Sequence, residues 1–204
     1  ITFKEAFQIP AYRTALALSF IIGWAFFGMR SSILPLFVTE SLDSTAAIVG
    51  IGFAIGALVQ GLFLFKSGKA SDLKGRKYVI LLGGSIFMAG IIGLTLSFNI
   101  WMFLVSMAIL GIGGAYLSTA PGAIVGDVIK GKGGRVIGIF QMSGDAGMIV
   151  GPIVVGAISD LYSFRVAFAA TAVIFSLVLI LGARLPETRK MAGSHEPTIS
   201  LNDN

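Results

Sequence analysis

Six apolar runs, at 14–36, 46–65, 78–97, 101–125, 136–158 and 166–185, succeed one another with only short polar connections between them. Each approaches the roughly 20 residues with which a helix crosses a hydrocarbon core about 30 Å thick. A backbone in lipid has no water to satisfy its N–H and C=O groups, so such runs fold as helices, and none shows the period-two alternation of a barrel strand. The expected fold is all-α: a polytopic bundle of six transmembrane helices over residues 1–190, followed by a disordered cytoplasmic tail at 191–204. Composition excludes a soluble domain, because 55% of the 204 residues are hydrophobic and only 12% are charged. The mean hydropathy is +0.91.

The sparse charge is sorted by side. Lys66, Lys69, Lys74, Arg76 and Lys77, against Asp72 alone, lie between the second and third runs, and Lys130, Lys132 and Arg135 lie between the fourth and fifth. The alternate connections carry Glu40 and Asp43, then no charge, then Asp160 with Arg165. By the positive-inside rule the basic connections are cytoplasmic, and both chain ends with them, in a multi-pass protein of the cell inner (plasma) membrane. The same asymmetry accounts for the net charge of +5 without a nucleic-acid partner.

Other chemistries are excluded by what the chain lacks. It has no cysteine, and its one histidine, His195, stands in the tail, so neither a thiolate metal site nor a serine-histidine dyad within the membrane is available. Lys132 is followed by Gly133, which breaks the spacing of a phosphate-binding Walker loop. No cofactor, no metal and no enzymatic activity are expected. The chain opens at Ile1 without an initiator methionine or a signal-peptide pattern, and reads as cut at its start.

The most informative connection is Gly68-Lys69-Ala70-Ser71-Asp72-Leu73-Lys74-Gly75-Arg76-Lys77. Gly68 and Gly75 permit a tight helix-to-helix turn with positive φ, and Asp72, near the start of the next helix, can pair with Arg76 across it. This pattern, placed between the second and third helices of a six-helix unit, resembles the loop signature of the major facilitator superfamily of secondary transporters. Ser71 departs from it, where the family often has alanine. Gly144, Gly147, Gly151, Pro152 and Gly156 resemble the glycine-proline motif of the drug/proton antiporter branch, and Pro186-Glu187-Thr188-Arg189 resembles the ending of many members.

The resemblance implies two inverted three-helix repeats forming one half of a transporter, here read as the C-terminal half, which works with a second six-helix half by alternating access. It also implies a conformational charge network of Asp72, Arg76 and Asp127, with Arg135 as a fourth candidate, built around the loop motif Gly68, Asp72, Gly75, Arg76 and Lys77. Asp127 closes an apolar run and has a plainer alternative as an interfacial acid.

An ionisable group near the middle of a bilayer costs roughly 2.5 to 3.5 kcal/mol on insertion scales, so each such group is a candidate for function. Two qualify. Asp145 lies about 14 Å along a helix from Val136. It shares a face with Gln141 and Pro152, while Gly147 and Gly151 point the opposite way and suit close helix packing. Asp145 reads either as a protonatable acid that couples transport to protons or as a carboxylate held at the interface between halves. Arg30, in the outer part of the first run, reads as an anion-binding group, a partner for a carboxylate of the other half, or a side chain snorkelling outward.

Trp24, Arg30, Gln60, Tyr116 and Gln141 are the expected substrate pathway, on the first, second, fourth and fifth helices, with the third, which has no charge, and the sixth, which has none before Arg184, as lipid-facing supports. This sparse polar set amid phenylalanine and methionine suits hydrophobic or amphipathic small molecules. The leading expectation is therefore proton-coupled efflux of such compounds. A metabolite or sugar carrier of the same superfamily is the alternative, and a self-associating six-helix channel is a third class.

Overall fold

The structure is a computed structural model and describes residues 3–129 and 133–185. After a short helix at Phe3–Gln8 it contains six helices long and apolar enough to cross a membrane. The first span is the continuous helix Pro10–Ser41. The others are Ala46–Lys74, Arg76–Thr95, Ile100–Ile129, Gly134–Leu161 and Phe164–Arg184. Pro10 opens the first span where its missing N–H is no loss. Asn99 Oδ1 accepts the Met102 N–H at 2.9 Å to cap the fourth, and Ser163 Oγ accepts the Val166 N–H at 3.3 Å to cap the sixth. The expected tail, Pro186 to Arg189, Lys130 and Lys132 lie outside the described residues.

Most of the helices outrun their apolar runs, because hydropathy marks the length in lipid whereas a helix continues into water for as long as its residues tolerate the geometry. The second is the clearest case: it extends to Lys74 and takes in Gly68 and Asp72, both expected in a loop. Only Gly75 separates it from the third span, with φ of 96° and ψ of 163°, a conformation essentially closed to residues with a Cβ. Gly68 therefore makes no turn, and Asp72 sits in the last turn of the second span instead of near the start of the next helix.

The first span is not a plain α-helix. Its backbone is α-helical over Pro10–Gly23, widens into a π-helix over Trp24–Ile33, and returns to α at Leu34–Leu36 before a second wide turn at Phe37–Ser41. Pro35 offers no N–H to the preceding turn, which removes one reason to keep the α register there.

Small residues then set the packing. Gly144, Gly147 and Gly151 of the fifth span lie directly on the first: a Cβ built at Gly151 would come within 3.0 Å of Gly28 Cα and of the Trp24 carbonyl oxygen. At Gly147 it would strike the backbone of Phe20 and Trp24. Hydroxyls reinforce the seam, with Tyr12 donating to the Val136 carbonyl at 2.8 Å and Ser143 to the Leu16 carbonyl at 2.8 Å. Such contacts matter in lipid, where tails are as apolar as leucine and association depends on close packing and hydrogen bonds.

The core between the first, third and sixth spans is aromatic. Phe26 stacks on Phe87 with centroids 5.1 Å apart, Phe87 meets Phe175 at 4.9 Å, and Phe37 meets Phe168 edge-on at 5.1 Å. The third span, read as a lipid-facing support, is seated closely against the fourth, since a Cβ at Gly90 would meet Leu110 side-chain atoms 2.7 Å away. Within the bundle the second and fifth spans are the least covered: 17% of the most apolar stretch of each is buried, against 56% in the first.

The seam generates a comparison within one helix. Gly151→Ala should destabilise the bundle by about 1 to 3 kcal/mol, the usual range for overpacking against backbone that cannot yield. Gly156→Ala, where a Cβ meets nothing within 4 Å, should be neutral or mildly stabilising. Thermal unfolding of the two variants in the same detergent checks the order.

Candidate functional site

At the end of the bundle where the second, third and fourth spans meet, Arg76 is the hub. It is the first residue of its helix, delivered by the Gly75 turn, and its side chain is 14% exposed. Nε donates to Asp127 Oδ2 at 3.1 Å, across to the fourth span. Nη1 donates to Asp72 Oδ1 at 2.9 Å and to Ser71 Oγ at 3.0 Å, both on the last turn of the second. The two acids differ in setting, because the Asp72 side chain is 75% exposed and that of Asp127 only 16%. Water screens the first pair and much less the second. One guanidinium thus ties three helices at a single point. Higher up, Ser67 and Thr119 share a 2.9 Å hydrogen bond between the second and fourth spans.

Two sequence-derived members of this site stand elsewhere. Arg135 is exposed at the start of the fifth span and makes no ion pair among the described residues, so it does not join the network. Its neighbour Val136 takes the inward-facing position and accepts from Tyr12, which turns Arg135 away. Gly68 lies on the second span where a Cβ would meet nothing within 4 Å, so it makes no close contact with another helix there. Lys77 is half-buried one residue beyond the hub. Ser71, a departure from the family pattern in the sequence, is buried at 3% exposure and contributes a hydrogen-bond acceptor; a small hydroxyl next to Asp72 and five residues before an arginine was the available signal.

The fifth span divides into two faces. Asp145 and Gln141 are exposed on the uncovered side and Pro152 is half-exposed, while Gly147 and Gly151 are buried against the first span. Gln141 also lines a cavity of about 300 Å³ with Ser19, Ile22, Leu117, Ser118, Pro121, Gly122 and Phe140. Gln60 and Phe26 both approach Gly114, where a Cβ would lie 3.5 Å from Gln60 Oε1.

The remaining pathway candidates are not gathered with these. Trp24 is buried at the seam with the fifth span, its Nε1 without a hydrogen-bond partner. Tyr116 sets its Cβ against Gly83 of the third span. Arg30 turns to the second span instead of running outward: its guanidinium carbon is 5.5 Å from the Phe53 ring centroid, and its Nη2 occupies the space left by Gly56.

The unequal settings of the two acids predict unequal costs. Asp127→Asn should destabilise by about 1 to 3 kcal/mol, because it removes a charged acceptor from a largely enclosed arginine. Asp72→Asn should cost at most about 1 kcal/mol. Unfolding midpoints of both variants, at low and high salt, check the ranking and the greater salt sensitivity of the Asp72 pair.

The geometry meets its counterparts among known proteins. Residues 16–200 match the model of the Major Facilitator Superfamily. The chain is 32% identical over 161 residues to the Multidrug resistance protein MdtG of Proteus mirabilis, covering 76% of this chain and 39% of that protein. It is 33% identical over 168 residues to MdtG of Enterobacter lignolyticus, covering 79% and 40%. The chain thus spans about two fifths of the length of these curated relatives. Among solved structures, the peptide transporter POT in complex with sulfate superposes with a TM-score of 0.76 at 26% identity, over 89% of this chain and 38% of that one. Six membrane-spanning helices, a glycine-hinged Asp-Arg-Asp network between the second, third and fourth, and matches over most of the sequence establish that this chain belongs to the major facilitator superfamily.

Proposed function

We propose that the chain is a six-helix half of a secondary transporter that exports hydrophobic or amphipathic small molecules in exchange for protons, by alternating access with a second six-helix half. The observation that carries the reading is the two-faced fifth span, whose Asp145 and Gln141 stand on the side the bundle leaves uncovered. A carboxylate at that depth costs too much to be retained without a partner or a role. Exposed in this half and covered by a second, it becomes a group that gains and loses a proton as access alternates. Membership of the superfamily and likeness to proteins named for multidrug resistance support the same direction.

The Arg76 network supplies the state preference. Burial strengthens its Asp127 arm, and the exposed Asp72 arm closes or opens at little cost, which suits a latch that favours one access state. The basic connections and both chain ends lie on the cytoplasmic side in this reading. Carriage of a metabolite is the second reading, favoured by the likeness to a peptide transporter.

Proton movement in inverted vesicles holding the full-length transporter tests the proposal, with a panel of lipophilic cations, lipophilic anions and neutral metabolites and Asp145→Asn as control. The expected result is solute-dependent proton release by the wild type and none by Asp145→Asn. Wild-type rates in Asp145→Asn would remove that residue from coupling. Silence across the lipophilic panel with response to a metabolite would favour the second reading. In the same protein Asp72→Asn should shift the distance distribution between spin labels on the two halves without loss of fold, and unchanged distributions would remove the latch role.

A further inference from the structure

Arg30 carries a charge that nothing in the bundle uses. The guanidinium lies level with Phe53 and Gly56, roughly 10 to 15 Å along the second span from its start at 1.5 Å per residue. It makes no ion pair and donates no hydrogen bond among the described residues. The acids of the nearest connection, Glu40 and Asp43, lie beyond or at the very end of the first span. A guanidinium has five N–H donors in a planar fork, so the group is held in position with its binding capacity unspent.

How it is held is visible. Phe53 supplies a ring face to one side, which offsets part of the cost of desolvation. Gly56 makes the room, since a Cβ there would stand 2.8 Å from Nη2. The backbone beneath is the π-helical segment Trp24–Ile33, and such wide turns gather at functional sites. None of the three guanidinium nitrogens is fully enclosed, because the single enclosed and unpartnered polar side-chain atom among the described residues is Trp24 Nε1. The donors therefore keep partial access to solvent beside the half-buried Phe53 ring.

We propose that Arg30 is the recognition point for the anionic group of an amphipathic solute, a carboxylate or phosphate at one end of an otherwise apolar molecule. This rests on the transport reading proposed above and narrows its substrate class. The fork accepts the two oxygens of the anion in parallel, an arrangement lysine cannot reproduce, while the apolar portion lies against the Phe53 ring.

The test compares a dansyl-labelled undecanoate with its uncharged methyl ester, by fluorescence, on the full-length transporter in nanodiscs of zwitterionic lipid. The wild type should bind the carboxylate about tenfold more tightly than the ester. Arg30→Gln should abolish that preference with ester affinity unchanged, which also reports that the variant is folded, and Arg30→Lys should keep only part of it. Equal affinities in the wild type would overturn the assignment, and this is the result expected if a carboxylate of the other half already occupies the guanidinium. A preference that survives Arg30→Gln would overturn it as well. Efflux of the ester under an imposed pH gradient separates the two proposals: movement without a charge preference sinks the Arg30 assignment alone, whereas folded protein that neither binds nor moves either probe sinks both.

Discussion

The approach of the first and fifth spans to backbone distance is the contact on which the rest of the bundle depends. In water a helix pair is driven together by the apolar area it hides, but lipid tails give no such preference, and only close contact and hydrogen bonds distinguish protein from solvent. Glycine at 23, 28, 144, 147 and 151 removes the side chains that would hold the two backbones apart. Tyr12 and Ser143 then spend their hydroxyls on carbonyls of the opposite helix, which are already engaged in helical bonds and have a second lone pair to offer. With that seam fixed, the polar residues of the fifth span have only one side to occupy. The burial of Gly147 and the exposure of Asp145 follow from the same geometry.

A second constraint acts at the opposite edge. Gly75 and the Arg76 hub fix the second, third and fourth spans to one another, three helices that the seam between the first and fifth does not join. The two devices differ in kind. Glycine packing is short-ranged and insensitive to salt, whereas the arginine network is electrostatic and half open to solvent, so one is suited to permanence and the other to exchange.

Much of this was legible beforehand, and the failures have physical reasons. Apolar length announced six helices because a bilayer imposes it, and a period of 3.6 separated Asp145 from Gly147 and Gly151. Helix ends were not legible, since Gly68 and Asp72 are polar enough to leave lipid yet not disposed to break a helix. The π register of Trp24–Ile33 was hidden because it depends on which carbonyl each N–H selects, a choice that tertiary packing makes. Arg135, a fourth candidate for the network by resemblance, is exposed beside the buried Val136 and makes no ion pair among the described residues. Trp24, expected in the pathway, is buried at the seam, where Gly147 and Gly151 let the fifth span close on its backbone.

A connection of one residue leaves no slack. The second span ends at Lys74 and the third begins at Arg76, so the two are a bent rod more than two rods on a string. Any tilt imposed on the uncovered second span reaches the third without backlash, and through it the aromatic stack of Phe87 with Phe26 and Phe175. A displacement that starts at the surface of the bundle therefore arrives in its centre as leverage, with a single glycine as the fulcrum.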